Sequence, residues 1–241
     1  MGIQSYKMLS VAIPTMCRWI FLKDILPVFL DHPAVAKVVL CDETGEDAAA
    51  CKLTSSKLVV VVNSQRLGMY QNKRKAFELA AAYAPHVALV DSDNYFSETW
   101  IDTVVEELEK GDKKTVYGSA EFKSVVITTG EITTPCNHFS GLRLDARSWN
   151  TIFNKPKFVN LLNDGNLVIP SECVNLLPAD LTSEGIQAAD SIFMLRCYVK
   201  GGYSVFYIPG LSYIHSVHDG SEWLKTEKAS MAVLNGTNWR F

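Results

Sequence analysis

The chain has no Cys-x-x-Cys pair, no apolar run approaching the length of a membrane span, and no block of basic residues. Each absence removes a class of function. The six cysteines (Cys17, Cys41, Cys51, Cys136, Cys173 and Cys197) are widely spaced and mostly sit inside apolar segments, as reduced core cysteines do. A zinc site is therefore not expected, and a reducing, cytoplasmic compartment is. The apolar stretch from Met8 to Pro14 is too short for a secretory signal core and stops at a proline, as a strand does. A spanning helix needs about 20 apolar residues, so no transmembrane segment is expected. A net charge of −3 and a pI near 6.0 argue against a nucleic-acid partner; the densest cationic group is only Lys73-Arg74-Lys75. The chain has no internal repeat, low-complexity segment or linker. Asn235-Gly236-Thr237 is a glycosylation sequon that carries no weight without secretion.

What is present is an ordinary globular composition: 241 residues, 48% hydrophobic and 20% charged. That length fits one large α/β domain. The first half alternates regularly. Strands are predicted over 9–13, 35–41, 58–62 and 86–90, with helices over 19–30 (bent at Pro27), 69–82 and 98–110. Such alternation specifies a parallel sheet with right-handed crossovers and helices on both faces. The second half is irregular, with strands predicted over 115–120, 123–129, 131–134 and 141–144 and a helix over 146–153. Beyond it lie a loop-rich stretch over 154–178, one helix over 183–200 closed by Gly201-Gly202, strands over 204–208 and 211–215, and a helical tail over 222–241. We read residues 1–241 as one domain, with a nucleotide-binding half over about 1–115 and an acceptor and catalytic half over 116–241.

The chemistry gathers at strand ends. Val87-Ala88-Leu89-Val90 stops at Asp91-Ser92-Asp93-Asn94, which puts two carboxylates at the carboxyl edge of a buried strand, where open α/β sheets bind ligands. Two hard oxygen donors at that spacing suit Mg²⁺ or Mn²⁺, which keep coordination positions for substrate phosphates. The plain alternative is a turn followed by a helix cap. The other strand ends add Pro14-Thr15 with Arg18, then Asp42, then Asn63 with Arg66, Gly68 and Lys73. Together they supply a carboxylate for ribose or base, cations for a diphosphate, and a metal seat.

In these residues the sequence resembles the GT-A fold glycosyltransferases, especially their large inverting family that uses nucleotide sugars. Ser10-Val11-Ala12-Ile13-Pro14-Thr15 looks like that family's opening strand, and Val38 to Glu43 with Thr44 and Asp47 like its second. Asn63 to Gly68 with Lys73 and Ala76 is similar to its glycine-to-helix segment, and Asp91-Ser92-Asp93 stands in the place of its Asp-x-Asp motif. The likeness continues through Ala189-Asp190, Gly201-Gly202-Tyr203, Pro209 and His215. It implies a Rossmann-like mixed sheet and transfer of a sugar from a nucleotide donor, most often a uridine diphosphate sugar, to a carbohydrate or other hydroxyl acceptor. By it, Pro14, Thr15, Arg18 and Asp42 would hold the nucleoside, and Arg66 and Lys73 would lie near the diphosphate. Asp91 and Ser92 would face the donor, and Asp93, with Asp91 and His215, would seat Mn²⁺ or Mg²⁺; His218 is the fallback imidazole.

Asp190 would be the base that takes the acceptor's proton. The family usually carries Glu-Asp here, and this chain has Ala189 in the glutamate place. An acidic first turn favoured by the helix dipole is the bland alternative for Asp190. The acceptor site is expected around Ser140-Gly141, Trp149 and 163–166, with Tyr95, Trp223 and Trp239 as further aromatic faces. The tail ending in Trp239-Arg240-Phe241 would dock on a second domain, another subunit or a membrane surface.

Other classes fit less well. A phosphatase with an Asp-x-Asp nucleophile places the motif after its first strand, whereas three strands precede it here. A nucleotidyltransferase wants glycines after strand one, and Pro14 to Arg18 has none. A calcium loop would need glycine where Phe96 stands. A retaining mechanism and a non-catalytic nucleotide-sugar-binding module both stay open.

Overall fold

The computed structural model describes residues 8–132, 139–152, 162 and 165–237. Expectations for 133–134, for 153–164 apart from Leu162 (among them Asn163), and for Trp239 lie outside those residues. The first half follows the predicted alternation, with one short helix, α2, that was not expected: β1 Leu9–Thr15, α1 Trp19–Asp31, β2 Val35–Asp42, α2 Glu46–Ala50, β3 Leu58–Val62, α3 Met69–Ala81, β4 His86–Leu89 and α4 Glu98–Glu109. The second half comprises β5 Thr115–Val126, β6 Arg143–Leu144, α5 Ala146–Ile152, β7 Leu167–Pro170, a 3-10 turn Ser171–Leu176, α6 Ser183–Ile186, α7 Asp190–Lys200, β8 Ser204–Val217 and α8 Glu222–Gly236.

All eight strands join one sheet in the order β3-β2-β1-β4-β7-β5-β8-β6. β1 to β4 are mutually parallel, β7 runs antiparallel to both β4 and β5, and β5 runs parallel to β8. The sheet is therefore mixed, as expected. Side chains of β1 and β2 alternate between two cores: Leu9, Val11, Ile13, Val38 and Leu40 pack under α1 and α4, while Ala12, Val39 and Cys41 pack under α3 and α7. Both faces are covered, which is why these strands read as near-continuous apolar runs. Each fully buried Leu or Phe that α1 contributes, such as Leu22, Leu26 and Phe29, stabilises the fold by about 2 kcal/mol. Ser97 starts α4 by accepting the Trp100 N–H at 3.2 Å, a cap worth about 1 kcal/mol.

Four local expectations are corrected. Residues 115–129 were read as two strands, but β5 is continuous and absorbs its irregularity as a register shift between Ser119 and Glu121. β8 likewise runs unbroken through Pro209-Gly210, with Gly210 at φ 76°. The helix expected over 183–200 is two helices, because Gln187 adopts a left-handed φ of 50° between them; that conformation is rare for a residue with a Cβ. The stretch read as loop-rich contains β7, which is wholly buried.

The topology positions the site. The parallel registers set Thr15 beside Asp42 and Asp42 beside Val62, while β4 ends with Leu89 beside Ala12, so that Asp91 and Asp93 follow just beyond its last paired residue. The segment after β4 is then clamped to β8 by reciprocal backbone bonds between Tyr95 and Ile214, at 2.9 and 3.0 Å. That antiparallel bridge brings Asp93 and Asn94 alongside the carboxyl end of β8.

Candidate active site

The carboxyl ends of β1, β4 and β8, the start of α3, the N-terminus of α7 and one face of α8 enclose a cleft of about 1420 Å³. This exceeds the 300–1,000 Å³ typical of drug-sized ligands, so it has room for a nucleotide sugar and part of an acceptor. Pro14, Thr15, Arg18, Arg66, Lys73, Asp91, Ser92, Asp93, Asp190 and His215 all line it.

Two charge clusters stand within the cleft. In the first, Lys73 Nζ lies 3.0 Å from Asp91 Oδ1, 2.9 Å from Asp190 Oδ2 and 3.4 Å from Ser191 Oγ. Burial of the ammonium works to lower its pKa, but the carboxylates of Asp190 and Asp91 outweigh it and hold Lys73 protonated well above the usual lysine range. Gly165 packs directly against this pair: a Cβ there would stand 2.7 Å from Asp91 Oδ1 and 2.7 Å from Lys73 Nζ. The Asp91 backbone N–H donates to Asn166 Oδ1 at 3.0 Å, which ties the loop before β7 to the end of β4. Lys73 thus sits between two carboxylates at the floor of the cleft.

The second cluster surrounds Asp93. His218 Nε2 is 3.0 Å and Arg18 Nε 3.4 Å from Asp93 Oδ2. Burial pushes the Asp93 pKa up, yet the His218 hydrogen bond, the nearby Arg18 guanidinium and the two imidazoles facing it bring it below the usual carboxylate value. Arg18 also donates from Nη2 to Gly220 O at 2.6 Å and from Nη1 to Met16 O at 3.3 Å. It clasps the loop after β1 to the turn before α8. His215 lies across the cleft wall with Nδ1 3.0 Å from Asn94 Oδ1.

Several residues lie elsewhere. Asp42 is wholly buried, and its oxygens accept the N–H groups of Thr44 at 3.0 Å and Ala48 at 2.9 Å. It braces the turn into α2 and does not line the cleft; Glu43, its neighbour, does. Trp149 is 0% exposed and offers no face to an acceptor. Ser140 and Gly141 are exposed beside β8, where the Gly141 N–H meets Tyr207 O at 3.1 Å, outside the cleft wall. The acceptor surface expected around these three residues is therefore corrected. Among described residues, the wall beyond Asp190 is built instead from Asp180, Glu184, Gln187 and from Leu224, Glu227 and Met231 of α8. α8 is anchored there by the Ala188 N–H, which donates to the buried Ser230 Oγ at 3.1 Å.

Two further residues had no role in the sequence reading. Asp47 accepts the Thr15 hydroxyl at 2.6 Å and the Arg18 N–H at 2.7 Å, fixing the loop after β1. Glu43 accepts the Leu67 N–H at 2.7 Å and the Asn63 amide at 3.2 Å, holding the segment that carries Arg66. Gly68 then starts α3 at φ 80°, a conformation that favours glycine. Each of these acidic residues lies in the run Asp42-Glu43-Thr44-Gly45-Glu46-Asp47, so the run was legible while the division of labour within it was not.

A divalent ion is tested by the donors at hand. Among the described residues no three His, Cys, Asp or Glu side chains gather into a ready-made cage. Asp93 and His215 offer one carboxylate and one imidazole, and a cation that keeps positions for phosphate oxygens and water needs no more from the protein. The nitrogen donor favours Mn²⁺ over the harder Mg²⁺. The residues fit such an ion.

Comparison with known proteins agrees with this architecture. The model of glycosyl transferase family 2 matches residues 41–164. Staphylococcus aureus TarS 1–349 in complex with UDP superposes with a TM-score of 0.57 at 15% identity, covering 94% of this chain and 64% of that one. GalNAc-T7 with UDP, GalNAc and Mn²⁺ gives 0.61 at 13% identity, covering 89% and 44%. The mannosyltransferase PcManGT from Pyrobaculum calidifontis with GDP-Man and Mn²⁺ gives 0.60 at 15% identity, covering 95% and 63%. At these identities the likeness is one of fold, and the chain spans less than two thirds of each of these structures. A search of curated proteins gave no match.

Proposed function

Because the chain belongs to glycosyl transferase family 2 and has the GT-A fold, we propose that it is an inverting glycosyltransferase. Its donor is a nucleotide sugar, in our reading a uridine diphosphate sugar, and its acceptor a hydroxyl group. The observation that carries this reading is the convergence of Asp91, Asp93, Asp190, Lys73 and His215 on one cleft at the carboxyl edge of a largely parallel sheet. UDP and Mn²⁺ or GDP-Man and Mn²⁺ accompany the fold neighbours GalNAc-T7 and PcManGT.

The chain's own residues then divide the work. Thr15 and Glu43 stand at the nucleoside end, and Arg66 faces the diphosphate. Asp91, paired with Lys73, lines the cleft where the ribose or donor sugar would lie. Asp93 and His215 would hold the divalent ion, which when bound neutralises charge on the departing diphosphate. The acceptor oxygen attacks the anomeric carbon in line, the bond from that carbon to the diphosphate oxygen breaks, and the acceptor proton passes to Asp190. Lys73 holds that carboxylate in place as the acceptor arrives. The acceptor enters along the wall formed by α6 and α8, and residues 1–241 act as one catalytic unit.

The deciding experiment is thermal stabilisation by a panel of nucleotide sugars with and without Mn²⁺, followed by product analysis for the best ligand. A ligand at 100 times its Kd raises stability by about 2.7 kcal/mol. We expect Mn²⁺-dependent stabilisation by a uridine diphosphate sugar and a product of inverted anomeric configuration. Retained configuration would reassign Asp190 to positioning, and binding without turnover would make the chain a binding module.

A further inference from the structure

His215 lies near the end of β8 and His218 directly follows its last residue, Val217, yet their rings are hydrogen-bonded in opposite senses. His218 Nδ1 accepts the Gly220 N–H at 3.1 Å. A nitrogen that accepts carries no proton, so the neutral ring keeps its proton on Nε2, which faces Asp93 Oδ2 at 3.0 Å. His218 is a donor to the carboxylate, with its ring tilted against Phe21 at 5.0 Å between centroids.

His215 is the reverse. Its Nδ1 lies 3.0 Å from Asn94 Oδ1, and the same oxygen takes the Ser216 backbone N–H at 3.3 Å. The backbone donor identifies that atom as the carbonyl end of the amide, so His215 Nδ1 must bring the proton. Nε2 then carries the ring's lone pair, the form a metal requires. Asn94 has no freedom to turn away. It is 0% exposed, and the adjacent Tyr95–Ile214 bridge fixes its backbone against β8.

We propose that Asn94 is a positioning residue for metal binding: it locks His215 in the tautomer whose Nε2 ligates the divalent ion, while His218 is held in the tautomer that cannot. This rests on the metal-dependent reading above. An amide serves here where a carboxylate often does. It fixes the ring without adding a third negative charge behind Asp91 and Asp93. Outer partners of ligating imidazoles typically carry a 10–100-fold share of metal affinity.

The test is calorimetric titration of Mn²⁺ into the whole chain saturated with UDP, which needs no turnover. Asn94→Leu should weaken Mn²⁺ about 10–100-fold, and Asn94→Asp, which still accepts from both donors, should restore most of it. In a His215→Ala background the Asn94→Leu change should have little further effect, since Asn94 acts only through the ring. Equal losses in both backgrounds, or affinity unchanged in Asn94→Leu, would overturn the proposal while leaving the metal reading intact. A parent chain that binds UDP without any Mn²⁺ dependence would overturn both. A measurement on the unsubstituted chain guards against a variant that fails to fold: long-range proton–nitrogen NMR should find the proton on Nδ1 of His215 and on Nε2 of His218. A His215 protonated on Nε2 would refute the assignment.

Discussion

Lys73 Nζ lies 2.9 Å from Asp190 Oδ2 with both side chains at least nine-tenths buried, and the same ammonium reaches Asp91 Oδ1 at 3.0 Å. The residue proposed as base and the carboxylate proposed to face the donor are thus held by one cation. Removing one partner of a buried pair leaves an uncompensated charge and costs about 3 kcal/mol. Lys73→Met should lower the urea midpoint by a corresponding amount. Adding Asp190→Asn to that variant should recover part of the loss, because the two changes share one interaction. Strict additivity in the melts would show that the pair contributes nothing.

Asp190→Asn alone separates chemistry from binding. General-base catalysis is worth about 10²–10⁴ in rate, so kcat should fall by that factor while UDP affinity changes less than about twofold, given that Lys73 keeps Asp91 as partner. The check is steady-state kinetics beside calorimetry of UDP. An active variant would remove Asp190 as base.

Gly165→Ala probes close approach rather than charge. The new methyl would meet Asp91 Oδ1 and Lys73 Nζ at 2.7 Å each, and one of them must move. A displacement of about 1 Å in a catalytic constellation can cost roughly 10²-fold. We expect donor affinity and turnover to drop together, with secondary structure by circular dichroism unaltered. Full activity would mean that Asp91 has slack its packing does not reveal.

His86 supplies a pH dependence away from the cleft. Burial at the start of β4 lowers its pKa below 6.5, only partly offset by Glu172. The folded ring therefore resists a proton that the unfolded chain accepts, and stability rises with pH wherever the unfolded state binds more protons. Stability should fall as pH drops below 6.5 and level off once the folded ring itself protonates. Urea midpoints at several pH values, compared with His86→Gln, read this directly. Parallel curves for the two proteins would exclude His86 as the source.

Legibility followed the range of the interactions. β1 to β4 and the helices α1, α3 and α4 were readable because each is built from a local apolar period, and the strand ends Thr15, Asp42 and Asp91 came with them. β7 was missed because Leu167–Pro170 is only four residues long and is a strand by virtue of partners far away in the chain, His86–Leu89 and Tyr117-Gly118. The division between Asp42 and Glu43 was equally hidden. Alternation sends neighbouring side chains to opposite sides, and nothing local says which side becomes the cleft.

By itself the order of residues determined a parallel nucleotide-type half with acids and cations at its strand ends, since hydrophobic period and strand-terminal polarity are local properties. Only the tertiary structure decided which of those acids meet. Lys73 joins Asp91 to Asp190, which is 117 residues from Lys73 in the chain, and the Tyr95–Ile214 bridge sets Asn94 on His215. It also withdrew Trp149 into the core and made α8 a wall of the cleft. Such pairings depend on sheet order and loop closure, which no short stretch of sequence encodes.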